Sequence, residues 1–323
     1  MTQIPKDLLV WDAHACMPIR PNQDLSALER YRSIGASLVS INVGMDFNPL
    51  GHIVRVIAGY RDWISRHSDQ FVLAKSMSDV EAARKTGRVA VIFDLEGSAM
   101  LEDDLATVGL FRDLGVAQIH LAYNLDNSVA GGCHGAGIGL TTFGRKVVAE
   151  INRVGMIMDC SHSSERTSLE VMEMSCKPVV FSHANVRALK DHPRNLTDAQ
   201  IMACARTGGV IGLSGVGIFI GDDDIRVESL MRHIDYLADL VGPSHIGLGL
   251  DYSFHTVTGD LPEGEDMSKW WPDGYGYDLR NMAYMAPEAI PELANAMLRS
   301  GYSTADVSGV VGQNFARVAR ASW

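Results

Sequence analysis

Residues 156–183 read MIMDCSHSSERTSLEVMEMSCKPVVFSH: two short apolar runs that each end on a histidine, His162 and His183, with one helix-like segment between them. A strand, a helix and a second strand in that order form the parallel βαβ unit, and near-continuous apolar runs mark strands buried on both faces. Imidazoles delivered from the ends of two consecutive parallel strands are how a barrel builds half of a metal site.

The same grammar runs outward from this unit. Apolar runs recur at Leu8–Cys16, Ser37–Val43, Val89–Glu96, Val116–Asn124, Met156–His162, Pro178–His183, Gly209–Ser214 and His245–Asp251, eight in all. Amphipathic segments lie between most of them, and several stop at a glycine before the next run: Gly115, Gly155, Gly208 and Gly242. Glycine there supplies a left-handed C-cap and a tight connection into the strand. Eight such units predict a (β/α)₈ TIM barrel, an α/β fold. The 323 residues exceed the ~250 typical of that barrel by enough for inserted loops and a C-terminal helix, so one domain over 1–323 is expected. The least regular stretch, Tyr252–Pro287, contains LPEGEDMSKWWPDGYGYD and follows the eighth run, the place for a lid or pocket wall.

Composition narrows the function. A net charge of −11 with no Lys/Arg stripe argues against nucleic acid. No apolar run approaches the ~20 residues a membrane span needs, so no membrane association is expected. The start, MTQIPKDLLVWDAH, lacks a basic region followed by an apolar core, and five cysteines without paired spacing fit a reducing compartment, so a cytoplasmic protein is expected.

Barrel enzymes gather their chemistry at the C-terminal ends of the strands. Here those ends carry His14 and Cys16, then Asp94 and Glu96, then Tyr123 and Asn124, then His162, His183 and Asp251. Period-two alternation aims His14 and Cys16 at one side, so both can reach one ion. Glu96 has two carboxylate oxygens with which to bridge two ions, and His162 and His183 would hold the second. Zn²⁺ accepts nitrogen, oxygen and thiolate together and is the expected metal. Asp251 suits a general base that later passes its proton to a leaving amine. Each has a bland counterpart: His14 and Cys16 as packed strand residues, Asp251 as a loop cap. The joint pattern favours function, because every member falls at a strand end.

Other residues rank lower. His134 and Cys133 in GGCHGAG sit on a glycine-rich loop, His192 in DHPRN belongs to a turn, and His52, His67, His233 and His245 read as surface or helix-face residues. GDDD at 221–224 lacks EF-hand spacing and reads as a solvated acidic turn.

The blocks FDLEGSAML, LGVAQIHLAYNLDNSVAGG, GLTTFGRKVVAEINRVGMIMDCSHSS, KPVVFSHANVRALKDHPRNLTDAQI, HIGLGLDYSF and GQNFARVA cover most of 91–318, and the chain resembles the renal or membrane dipeptidase family of zinc metallopeptidases, amidohydrolase-type barrels. The resemblance implies Glu96 as bridging carboxylate, His162 and His183 on the second zinc, and His14 on the first. It further implies Arg194 as the partner of the substrate's free carboxylate, Asp251 as general acid/base, and structural roles for Gly312 and Asn314. Two positions depart from that family: Cys16 stands where it usually has Asp, and Tyr123 where the mammalian type has a substrate-binding His. A cysteine thiolate remains a good zinc ligand, which leaves the first site's occupancy open. A Tyr123 hydroxyl can still donate to an oxyanion, with Asn124 beside it.

The expected function is hydrolysis of a dipeptide, or a similar small amide bearing a free carboxylate, by a metal-activated water, with Trp270 and Trp271 lining the pocket. Zinc is the expected cofactor, as two ions, and the partner is a small-molecule substrate. The alternatives are a one-metal amidohydrolase acting on an N-acyl amide and a barrel that binds a small molecule or metal without catalysis. A homodimer stays open, since no heptad or long apolar face demonstrates one.

Overall fold

In the computed structural model the described residues are 8–221, 223–255 and 257–323; residues 1–7 of the start read above, and Asp222 of the acidic turn, lie outside them. Ten strands form one sheet among them: β1 (Trp11–Cys16), β2 (Leu38–Met45), β3 (Phe71–Leu73), β4 (Val89–Glu96), β5 (Val116–His120), β6 (Ile157–Asp159), β7 (Val179–Phe181), β8 (Val210–Leu213), β9 (Ile246–Leu248) and β10 (Tyr252–Ser253). Their order is β10-β1-β2-β4-β5-β6-β7-β8-β9, with β3 paired to β4 off this path, and all pairings are parallel. The chain is an α/β TIM-type barrel.

The barrel closes by a change of neighbour within its eighth staves. Gly249 N still bonds Leu213 O on β8, at 3.1 Å, whereas Asp251 N bonds His14 O on β1, at 3.0 Å. From there β10 pairs with β1, Tyr252 opposite Ala15 and Ser253 opposite Cys16. Gly249 permits the crossing, because a Cβ there would come within 1.9 Å of Ser182 O. Asp12 pins the same seam, accepting from Leu250 N at 2.8 Å and from Tyr31 OH at 2.8 Å.

The connecting helices form as their sequences dictate. Thr142–Val154 starts at the Thr141 side chain, which accepts from Gly144 N, buries Val147, Val148 and Ile151, and ends at Gly155 with φ 78°. Ser164 caps Glu165–Met174, and Thr197 opens Asp198–Arg206 with a full capping box. All four glycines read as strand-leading stops have positive φ.

Two apolar layers result. One lies between the strands and their helices. The other fills the barrel's lower interior, where Trp11, Ala13, Leu38, Ala90, Ile92, Ala117, Ile157, Val180 and Val210 meet Phe315 of the helix Asn314–Ser322. Phe315 sits 5.6 Å from the Trp11 ring, and a Cβ at Gly247 would strike its ring at 2.3 Å, so the small residue makes room for the large one. Asn314 donates to Pro243 O and Ile246 O, which bears out its structural reading. With the lower interior packed by these side chains, the polar residues at the C-terminal ends of the strands face a cavity.

Candidate metal centre

The polar residues at those ends converge on one cavity. Cys16, Glu96, Tyr123, Asn124, His162, Arg194 and Asp251 line it, and His14 and His183 are fully buried against them. These nine residues, each singled out from the sequence, are therefore together.

Glu96 divides the group. Its Oε1 lies 3.3 Å from His14 Nε2 and 4.0 Å from Cys16 Sγ, while its Oε2 lies 3.0 Å from His162 Nε2 and 3.9 Å from His183 Nε2. Asn42 Nδ2 also donates to Oε1. Asp251 Oδ1 stands 3.6 Å from both His14 Nε2 and Cys16 Sγ. One carboxylate thus faces a His/Cys pair with one oxygen and a His/His pair with the other.

The remaining ring nitrogens are tied down from behind. His14 Nδ1 lies 3.3 Å from Asp94, His162 Nδ1 2.7 Å from Asn124 Oδ1, and His183 Nδ1 2.8 Å from Ser182 Oγ. Asn124 Oδ1 and the Asp94 carboxylate accept, so His162 and His14 hold their protons on Nδ1 and turn Nε2 inward. His162 Nε2 and His183 Nε2 then stand 2.9 Å apart. Two ring nitrogens at that distance can share a cation, and the donor set of imidazoles, thiol and carboxylate fits a divalent metal.

Burial and charge set the protonation of the cluster. Burial would lower the His14 pKa, but Asp94, Glu96 and Cys16 together raise it well above the usual imidazole value. Burial would raise Glu96, yet His14 and His162 hold its carboxyl well below the usual range. Burial, with Arg194 adding to it, keeps His162 and His183 neutral, as ligands must be. Burial lifts the Cys16 thiol well above its ordinary value and Asp251 to about 6.

Three of these residues adopt the left-handed backbone that non-glycine residues rarely take: Asn124 (φ 59°), His162 (φ 65°) and Asp251 (φ 56°). Such conformations persist only where the surroundings impose them, and they cluster at functional sites. The bends also end β5, β6 and β9 sooner than the apolar runs predict.

Similarity places this architecture. Residues 22–270 match the family described as Membrane dipeptidase (Peptidase family M19). The chain belongs to the membrane dipeptidase family. It is 27% identical over 288 residues to an uncharacterized protein in the pqqA 5′ region of Klebsiella pneumoniae, covering 85% of this chain and 98% of that one. It is 30% identical over 259 residues to the dipeptidase tcpJ of Claviceps purpurea, covering 79% of this chain and 56% of that one. The crystal structure of an amidohydrolase from Pseudomonas aeruginosa superposes with a TM-score of 0.87 at 28% identity, over 98% of this chain and 97% of that one. This chain is a metallo-dipeptidase-like hydrolase of that family.

Within this membrane dipeptidase family member, several sequence expectations change in detail. Asn124, expected at the substrate, has its side chain engaged: Oδ1 holds His162, and Nδ2 donates to Trp270 O at 2.9 Å. Trp271 lines the cavity as expected, whereas Trp270 contributes that carbonyl. His233, read as a helix-face residue, is buried, accepting from Val186 N on Nδ1 and donating to Ile220 O from Nε2. Cys133 donates to Asn124 Oδ1 and His134 meets Tyr277 OH at 2.8 Å, so the glycine-rich loop braces the site.

Sequence reasoning missed Asp46, His120 and Asp159. Asp46 accepts from Ser98 N, Ala99 N, Tyr123 N and Asn127 Nδ2 at 2.7 to 2.9 Å, tying the loops after β4 and β5 together. His120, at the end of β5, bonds Asp159. A polar residue inside an otherwise apolar strand run, as in VAQIHL, was the available signal.

Proposed function

We propose that this protein hydrolyses a dipeptide, or a closely similar small amide with a free carboxylate, at a two-zinc centre bridged by Glu96. The observation that carries the reading is the division of Glu96, one oxygen toward His14 and Cys16 and the other toward His162 and His183. Bound zinc would supply Lewis acidity at the scissile carbonyl and a water ionised near neutral pH.

The chain's own residues supply the rest. Arg194 is 3% exposed, and among the described residues its guanidinium donates to His183 O at 3.1 Å and has no carboxylate partner. A buried guanidinium without an anion is prepared for one brought by the substrate, and its planar fork matches a carboxylate. Asp251, beside His14 and Cys16, takes the proton of the attacking water and returns it to the departing amine. Burial and the neighbouring Glu96 hold the Tyr123 phenol in its neutral form, and its hydroxyl, unbonded among the described residues, donates to the carbonyl oxygen as charge develops there. Trp271, Tyr277, Leu279, Met282 and Tyr284 wall the cavity with apolar surface, which favours substrates with apolar side chains. The dipeptidase name of the Claviceps relative supports the same substrate class.

Metal analysis of the purified protein, paired with turnover on L,L and L,D dipeptides and N-acyl amino acids, tests this. Two ions and dipeptide turnover are expected. One ion with turnover restricted to N-acyl amides would overturn it, as would binding of dipeptides without any turnover.

A further inference from the structure

His120 ends β5, is fully buried, and has no task in the reading above. Its Nε2 lies 2.7 Å from Asp159 Oδ2. That carboxylate also accepts from Ser161 N, Ser182 N and Gln118 Nε2, so it can only receive the imidazole proton. Nε2 is therefore the protonated nitrogen, and Nδ1 is left as a buried lone pair with no hydrogen-bond partner among the described residues. Buried polar atoms are rarely left unsatisfied, which points to an occupant that protein atoms do not supply.

The surroundings identify the occupant's class. A ring nitrogen of His120 lies within 4.8 Å of donor atoms of His14 and His183, and likewise of Glu96 and His162. Its ring centroid is 5.3 Å from that of His183 and 5.8 Å from that of His14. The construction also resembles one already in the site: His14 sets one nitrogen on the buried Asp94 and faces the donor cluster with the other, and His120 likewise sets one nitrogen on the buried Asp159. A metal-bound histidine characteristically gives its second nitrogen to a carboxylate in this way.

We propose that His120 is a fourth imidazole ligand of the metal centre, joining Glu96 and His162 on the cation they would share with His183. Resting on the two-zinc reading, this gives the second ion a third imidazole and leaves the first to His14, Cys16 and Glu96.

The test is cobalt substitution of the whole protein, followed by ¹H NMR in water. Each ligating histidine contributes one strongly shifted, exchangeable ring N–H. Four such signals are expected, from His14, His120, His162 and His183; three would overturn the proposal. In parallel, His120→Gln should lose cobalt to a competing chelator about 10- to 100-fold more readily than wild type, with unchanged circular dichroism. Equal retention would also overturn it, and the wild-type signal count decides the matter should the variant not fold. No cobalt uptake by wild type would remove the metal reading itself, whereas uptake with three signals removes only His120.

Discussion

His162 Nε2 and His183 Nε2 face each other at 2.9 Å, each ring held from behind, by Asn124 and by Ser182. Neither imidazole can turn away without giving up a buried hydrogen bond. A cation held between them and Glu96 binds the folded arrangement and not the unfolded chain, so binding is coupled to stability. Removing metal with a chelator should lower the melting temperature by about 5 °C or more, the scale set by ~2.7 kcal/mol at a ligand concentration 100-fold above Kd. A scan with and without chelator measures it, and identical curves would sink the idea.

Asp251→Asn should keep the metal and lose turnover by about 100-fold or more, the range for a removed general acid/base. Asparagine tolerates the φ of 56° at this position, so backbone geometry is preserved. Unchanged kcat would take Asp251 out of the chemistry.

Cys16→Asp should hold or raise occupancy of the site shared by His14 and Glu96, because a carboxylate is already ionised at neutral pH and the buried thiol is not. Metal-to-protein ratios before and after dialysis provide the comparison. Less metal in the folded variant would count against Cys16 as a ligand position.

Arg194→Lys should raise KM about 10- to 100-fold for substrates with a free carboxylate, since one ammonium replaces a two-pronged fork. The same substrates with a C-terminal carboxamide should be turned over equally by both proteins. A parallel loss on both series would mean that Arg194 supports the fold rather than the substrate.

His192 is held down to about 3, mainly by burial, with Arg194 adding to the effect against the hydrogen bond to Tyr275 O. Above the ordinary value of 6.5 folded and unfolded chains are both neutral, and the full contribution is present. As pH falls below it, the unfolded chain takes a proton that the folded chain refuses, so stability drops. Urea midpoints at pH 7 and pH 5 should therefore differ more for wild type than for His192→Gln. Equal differences would contradict the assignment.

The legible parts of the sequence were those written locally. β4 coincides with its apolar run from Val89 to Glu96, because a strand buried on both faces needs no partner's information to be recognised. The runs ending at His162 and His183 outlast their strands, since Cys160 N bonds Val180 O and the chain then turns through His162. Nothing local foretells β10, two residues whose pairing exists only because β1 is there. Among site residues, ligand candidates were visible as polar endings of apolar runs. Asp46, His120 and Asp159 offered only a polar letter in or beside an apolar run, because their meaning lies in groups brought by other strands.

The crossing at Gly249 puts Asp251 on the seam of the barrel, hydrogen-bonded through its own amide to His14 O. Its distance to the donor cluster is thus set by whether the ring of strands is shut. Any breathing that parts β10 from β1 carries Asp251 away from His14 while the helices and the packed lower interior stay in place. Heating should accordingly silence turnover some degrees before the far-ultraviolet signal changes, making activity the more sensitive gauge of an intact ring.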